Sequence, residues 1–209
     1  MTDYDALPLA DVLREHIGGD QVAQLTVSSN SMSPLLKSGD VIGLQYTGFS
    51  HIQRGQIVTF TDSGESRSLT THRIAASWID GQGNLQILTR GDHVLFFDRP
   101  RKVEAIVGQV VWRVRNGRKL RLDQGPGEWL CKQLGLIAER ERVQISGLSL
   151  DQLQLTPDGI ASANHKALLR RKGITARLVS RASRSWRRLL AFIVPLFARE
   201  KKSPRGEGN

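Results

Sequence analysis

A mainly β fold with helical additions is predicted by three features of the sequence. Short β-branched runs separated by Gly-, Asn- and Asp-containing turns fill residues 22–123. Within that stretch Asn116–Gly117 lies between two strand-like runs, and both residues tolerate the positive φ of a tight hairpin turn. Apolar residues recur at helical spacing only before and after it. The expected organisation is an N-terminal helix within 1–20, an antiparallel β domain over 21–124, a basic, largely helical C-terminal extension over 125–200 and a disordered polar tail over 201–209.

The elements follow in order. Leu9, Val12, Leu13 and Ile17 mark one face of a short helix that ends at Gly18–Gly19. Residues 24–29 and 40–45 read as the first two strands, separated by a small polar loop and a turn at Gly39. Residues 56–60 and 68–75 make an expected hairpin around Asp62–Ser63–Gly64, and 77–79 with 85–89 another around Asp80–Gly81. Residues 105–115 and 118–123 flank the Asn–Gly turn. Beyond Gly125, Trp129, Leu130, Leu134 and Ile137 give helical spacing over 128–137, while 149–153 fit a helix or a strand equally. Residues 162–199 are largely helical in pattern, with a break at Gly173.

Composition bounds the function. With 209 residues, 39% hydrophobic and 24% charged, the chain can bury a core and is not of disordered type. Cys131 is the only cysteine, which excludes an intramolecular disulfide and a Cys-rich zinc site. No metal-ligand spacing, phosphate-cradling glycine loop or nucleotide motif occurs, so no cofactor and no metal is expected.

The formal net charge is +10, and its excess is concentrated from Lys166 onward, which suits a polyanionic surface. Residues 184–199 set Arg and Trp beside Leu, Phe and Ile, a composition fitted to peripheral contact with a lipid interface. Nucleic acid is ranked last as a partner, because stacking aromatics there are few and no recognised motif is present. Residues 1–20 hold five acidic residues and no signal-peptide core, and the run 189–198 is too short to span a bilayer. The expected location is the cytoplasm or the membrane periphery.

One segment invites a chemical reading. Ser29-Asn30-Ser31-Met32-Ser33-Pro34 precedes Leu35–Leu36 and Gly39–Asp40. By composition alone it is a solvated turn. Its Ser-Met-x-Pro followed by Gly-Asp resembles the nucleophile box of type I signal peptidases. The related self-cleaving repressor peptidases also place a Ser-Met pair ahead of Gly-Asp. Arg54-Gly55-Gln56-Ile57-Val58 resembles their next shared strand, and Thr71-His72-Arg73-Ile74 the strand that carries the base. Bacterial enzymes and repressors commonly have Lys-Arg there, whereas archaeal and endoplasmic-reticulum signal peptidases have His-Arg, as here. Leu88-Thr89-Arg90-Gly91-Asp92 is similar to the Thr-Lys-Gly-Asp box of the histidine type, with Asp98 at the spacing of its second acid. Ile106-Val107-Gly108-Gln109-Val110 resembles the closing strand. These five boxes occur in order over about 85 of the 209 residues.

The resemblance implies a signal-peptidase-like β catalytic domain acting on a polypeptide, such as a signal-peptide-like or leader segment. Ser31 would be the nucleophile, His72 its base and Asp98 the acid that orients the base, with Asp92 a second, supporting acid, although the sequence leaves open which of the two aspartates completes the triad. Ser29 and Met32 would serve the oxyanion and substrate. The residue types suit the task. A serine hydroxyl is a weak nucleophile until a base takes its proton. Imidazole, with an ordinary pKa of about 6.5, does so near pH 7, and a carboxylate fixes its tautomer. The family's N-terminal membrane helix and the repressors' leading DNA-binding domain have no counterpart in the sequence. Two other classes therefore stand beside the peptidase: a peptidase-fold binding module without catalysis, and a basic protein that binds nucleic acid or a membrane surface.

Overall fold

Alternating side-chain directions let one strand serve two packing layers, and the chain uses this throughout. The computed structural model describes residues 14–15, 17, 21–46, 48–61, 68–94, 96–141, 185–190 and 192–193. Eight antiparallel strands form its sheet: β1 (Ala23–Thr26), β2 (Val41–Gln45), β3 (Ile57–Thr61), β4 (Leu69–Ile79), β5 (Leu85–Arg90), β6 (Arg101–Lys102), β7 (Ile106–Arg115) and β8 (Arg118–Arg121). Their order is β1-β2-β7-β3-β4-β5-β6, and β8 pairs with β7. The chain is thus mainly antiparallel β.

Three strands account for the shape. β7 pairs along one edge with β2, while its other edge is shared between β3 near Gln109 and β8 from Trp112 onward. β4 divides similarly, with Leu69–Arg73 against β3 and Arg73–Ile79 against β5. On β3, Ile57 enters the main core while Val58 and Phe60 pack with Ile74, Ile87 and Ile106 on the other face. Burial on both faces explains the near-continuous apolar run of β3.

The expected hairpins are present with adjusted limits. Asn116 (φ 52°) and Gly117 (φ 72°) form the β7–β8 turn. The expected strands 68–75 and 77–79 are one strand, whose register shifts between Ile74 and Ala76. A local bulge, not a turn, interrupts the pattern there.

One helix, α1 (Gly125–Glu141), outruns its expected 128–137 at both ends. Its Leu130, Cys131 and Leu134 are buried with Ile42, Leu44, Ile57 and Val110 in the main core. The expected boundary at 124/125 therefore divides sequence character and not packing: α1 completes the core of the β domain. Arg14, Glu15 and Ile17 are helical, as are 185–190 and 192–193, and Ile17 and Leu190 reach the same core. The remainder of the two expected terminal helices, the ambiguous 149–153 and the tail 201–209 lie outside the described residues. Among the described residues no helix is long and apolar enough to cross a membrane.

Candidate active site

The loop between β1 and β2 is pinned at both ends before it presents any polar group. Val27 N–H donates to Asp40 O at 2.8 Å and Gly39 N–H to Val27 O at 2.9 Å. The Asp40 carboxylate takes the Lys37 N–H (2.8 Å) and both arms of Arg115 (2.7 Å each), while Arg115 also reaches Leu35 O at 3.0 Å. Met32, Leu35 and Leu36 are buried below the loop. The Gly-Asp of the sequence motif is thus a loop anchor. Between these anchors Ser31 is held half-buried, its Oγ at the surface of a cleft.

His72 projects from β4 toward that serine. Its Nε2 lies 3.2 Å from Ser31 Oγ, and its Nδ1 lies 2.7 Å from Asp98 Oδ2. An acceptor-only carboxylate beside Nδ1 makes that nitrogen the donor and leaves Nε2 to accept from the serine hydroxyl. The ring packs edge-on to Phe60, with centroids 6.2 Å apart. Asp98 is itself oriented: Thr89 Oγ1 donates to its Oδ2 at 2.6 Å, and Asp98 N–H donates to Thr89 O at 2.9 Å. Ser31, His72 and Asp98 thus form one hydrogen-bonded line from residues 67 positions apart in the chain.

The turn after β5 closes over this line. His93 N–H donates to Ser31 O at 2.8 Å. A Cβ on Gly91 would fall 2.7 Å from Ser31 O and 3.0 Å from His72 Nε2, so only glycine lets this turn approach.

Asp92 lies behind the reacting groups, bound to Arg73. It does not join the serine–histidine line; its two oxygens take Arg73 Nε and Nη2 at 2.8 and 2.6 Å, with both side chains buried. Arg73 follows His72 on the strand and so faces the opposite side, where it also donates to Gly55 O at 2.6 Å. Burial pushes the Asp92 carboxyl up, but the charge and hydrogen bonds of Arg73, then Arg187 and Arg90, hold it below its usual range. Burial likewise opposes the charge on Arg73, and Asp92 more than offsets this, raising it above the ordinary arginine value. Asp92 is accordingly a supporting residue, not part of the reacting chain. Arg187, from the helical stretch 185–190, donates to Asp92 O and to Glu141 Oε2, and Arg90 shares that Glu141 oxygen.

Ser29 lies as expected beside the nucleophile position, with Oγ 3.2 Å from Ser31 Oγ. Ser31 N–H has only a long contact to that hydroxyl, 3.5 Å. Met32 is 2% exposed and acts through packing, although it also contributes to the cleft floor. Thr89 and Arg187 carry site functions that the sequence did not reveal. Thr89 belongs to a recognisable box but had no assigned partner, and Arg187 is one of many arginines in a basic run.

A cleft of about 500 Å³ runs past Ser31 and His72 between Leu25–Ser29 on one side and Leu69–Thr71 on the other. Its walls are strand edges. β1 ends the sheet, and Leu69–Thr71 pair with β3 alone. An extended polypeptide could hydrogen-bond to such edges as an added strand. Among the described residues no group of His, Cys, Asp and Glu is arranged to hold a metal ion. No protein-family model matches this chain, and no curated protein matches it significantly.

Proposed function

We propose that this chain is a serine endopeptidase of the signal-peptidase and self-cleaving-repressor superfamily, of the Ser-His type, that cleaves an extended polypeptide segment. The observation that carries this reading is the Asp98–His72–Ser31 line, 2.7 and 3.2 Å between successive polar atoms, opening on a cleft bounded by strand edges. In the proposed reaction the substrate lies along β1 and the first half of β4. His72 Nε2 takes the Ser31 proton as Oγ attacks the scissile carbonyl, and Asp98 stabilises the imidazolium. The Ser31 N–H and the Ser29 hydroxyl are the donors nearest the oxygen that becomes negative. One such donor typically lowers the barrier by about 3 kcal/mol. His72 then returns its proton to the leaving amine, and water releases the acyl group by the same steps in reverse. The fold and the order of the boxes support the superfamily.

The test is mass spectrometry of the purified protein and its Ser31→Ala form, each incubated alone and with detergent-solubilised membrane proteins. A fragment made by the wild type and absent with Ser31→Ala gives the nucleophile and the bond cut. Absence of any Ser31-dependent cleavage, with both proteins folded, would favour a binding module built on a peptidase fold.

A further inference from the structure

The helical residues 185–190 and 192–193 turn an arginine inward and most of their large apolar side chains outward. Their buried side holds Arg187, 4% exposed, and Leu190, 8% exposed. Phe192, Trp186 and Leu189 are 71%, 54% and 44% exposed, and Ile193 is partly exposed as well. These four are most of the large apolar side chains exposed among the described residues, which otherwise number only Ile79 and Trp129. A water-facing helix buries its apolar stripe and exposes its arginines. Here Arg187 takes a buried position beside Leu190, and this orientation is fixed because Arg187 donates to Asp92 O and to Glu141. Rotating the apolar residues inward would break these contacts and expel Arg187 from its site. The stretch is therefore held with its apolar side out.

We propose that this face docks on an anionic lipid bilayer. Two further observations select this occupant. Arg188 is exposed beside Leu189, and Arg184, Arg199, Lys201 and Lys202 flank the segment in sequence. Basic residues near a surface draw anionic headgroups, at about 1 kcal/mol per residue. A tryptophan next to leucine and phenylalanine suits the headgroup–acyl boundary, where one side of the indole is wet. The exposed Arg188 also disfavours a second copy of the chain, since a two-fold contact here would set Arg188 near its own copy. The segment would lie in the interface plane, with Phe192 and Leu189 deepest.

Flotation of the full chain with vesicles tests this. Phosphatidylglycerol–phosphatidylcholine vesicles should carry the protein at low salt, and pure phosphatidylcholine vesicles should carry much less. Raising the salt should weaken binding. The exposed double substitution Leu189→Ser with Phe192→Ser should weaken it about tenfold or more, with unchanged circular dichroism. Trp186 emission should shift to the blue on binding, identified by its loss in Trp186→Phe. The inference is independent of the peptidase reading, and Ser31→Ala protein should float equally well. Equal binding by wild type and the double variant, or none to anionic vesicles at low salt, overturns it. So does self-association in sedimentation velocity that the double variant abolishes while vesicles remain empty.

Discussion

His72 and Arg73 are neighbours on β4, and the strand turns them to opposite faces, one toward Ser31 and the other toward Asp92. The two acids of the site thereby acquire separate tasks. Asp98→Asn keeps the shape but replaces the acceptor beside Nδ1 with an amide that can favour the wrong tautomer. For the proposed peptidase, turnover should fall about 10³–10⁴-fold with little change in urea stability. Asp92→Asn should do the reverse: it leaves a fully buried Arg73 without its counter-charge and should cost about 3–5 kcal/mol in urea denaturation. The pH dependence follows from the low Asp92 carboxyl. A carboxyl lower in the folded state contributes stability above the unfolded value of about 3.9 and loses it as pH falls through the folded value. The melting temperature should therefore drop on acidification below about pH 4, and less steeply in Asp92→Asn. At this scale Ser31, His72 and Asp98 were legible because each sits in an ordered box. The division of labour between Asp92 and Asp98 was not, because both are aspartates near one turn and only the strand's facing separates them.

Glu141 ends α1 and accepts from Arg90 of β5 and from Arg187, while Arg187 also caps the carbonyl of Asp92 in the turn that meets Ser31. Three elements thus converge behind that turn. Burial, then the like charge of Arg90, lowers Arg187 from its ordinary value, so the guanidinium is held by its partners against a desolvation cost. Arg187→Met should loosen the turn that bears Gly91–His93. For the proposed peptidase, the expected result is a several-fold loss in kcat with KM nearly unchanged, as for a positioning residue, and partial recovery in Arg187→Lys. A change confined to stability, with kcat intact, would make the contact purely structural. Element limits were legible where turn chemistry set them, as at Asn116–Gly117. They were not legible where long-range pairing did. The bulge near Ala75 mimicked a strand end, and the two-residue β6 carries no pattern of its own. Arg187 was equally hidden, since a charge that packs inward breaks the rule by which helix faces are read.

The main core behind the cleft includes residues from well outside the β segment. Leu130 and Leu134 of α1 are buried there with β2, β3 and β7, and Ile17 and Leu190 join them from the two ends of the chain. Sequence character changes at Gly125, from strand-like to helical, and that change suggested a domain boundary. A core is set by burial, which a local pattern does not record. Truncation of a buried leucine to alanine costs about 2–5 kcal/mol, against a total stability of about 5–15 kcal/mol for an ordinary domain. Removing α1 deletes at least two such leucines, the carbonyl of Cys131 that faces Arg73 and the Glu141 carboxylate. A fragment ending at Asp123 should therefore fail to unfold cooperatively in urea and should show poorly dispersed amide proton shifts. The milder Leu134→Ala in the full chain should retain a cooperative transition at lower urea. If the fragment instead folded cooperatively with native stability, the β segment would be an autonomous unit, and α1 would be an attachment to it rather than part of its core.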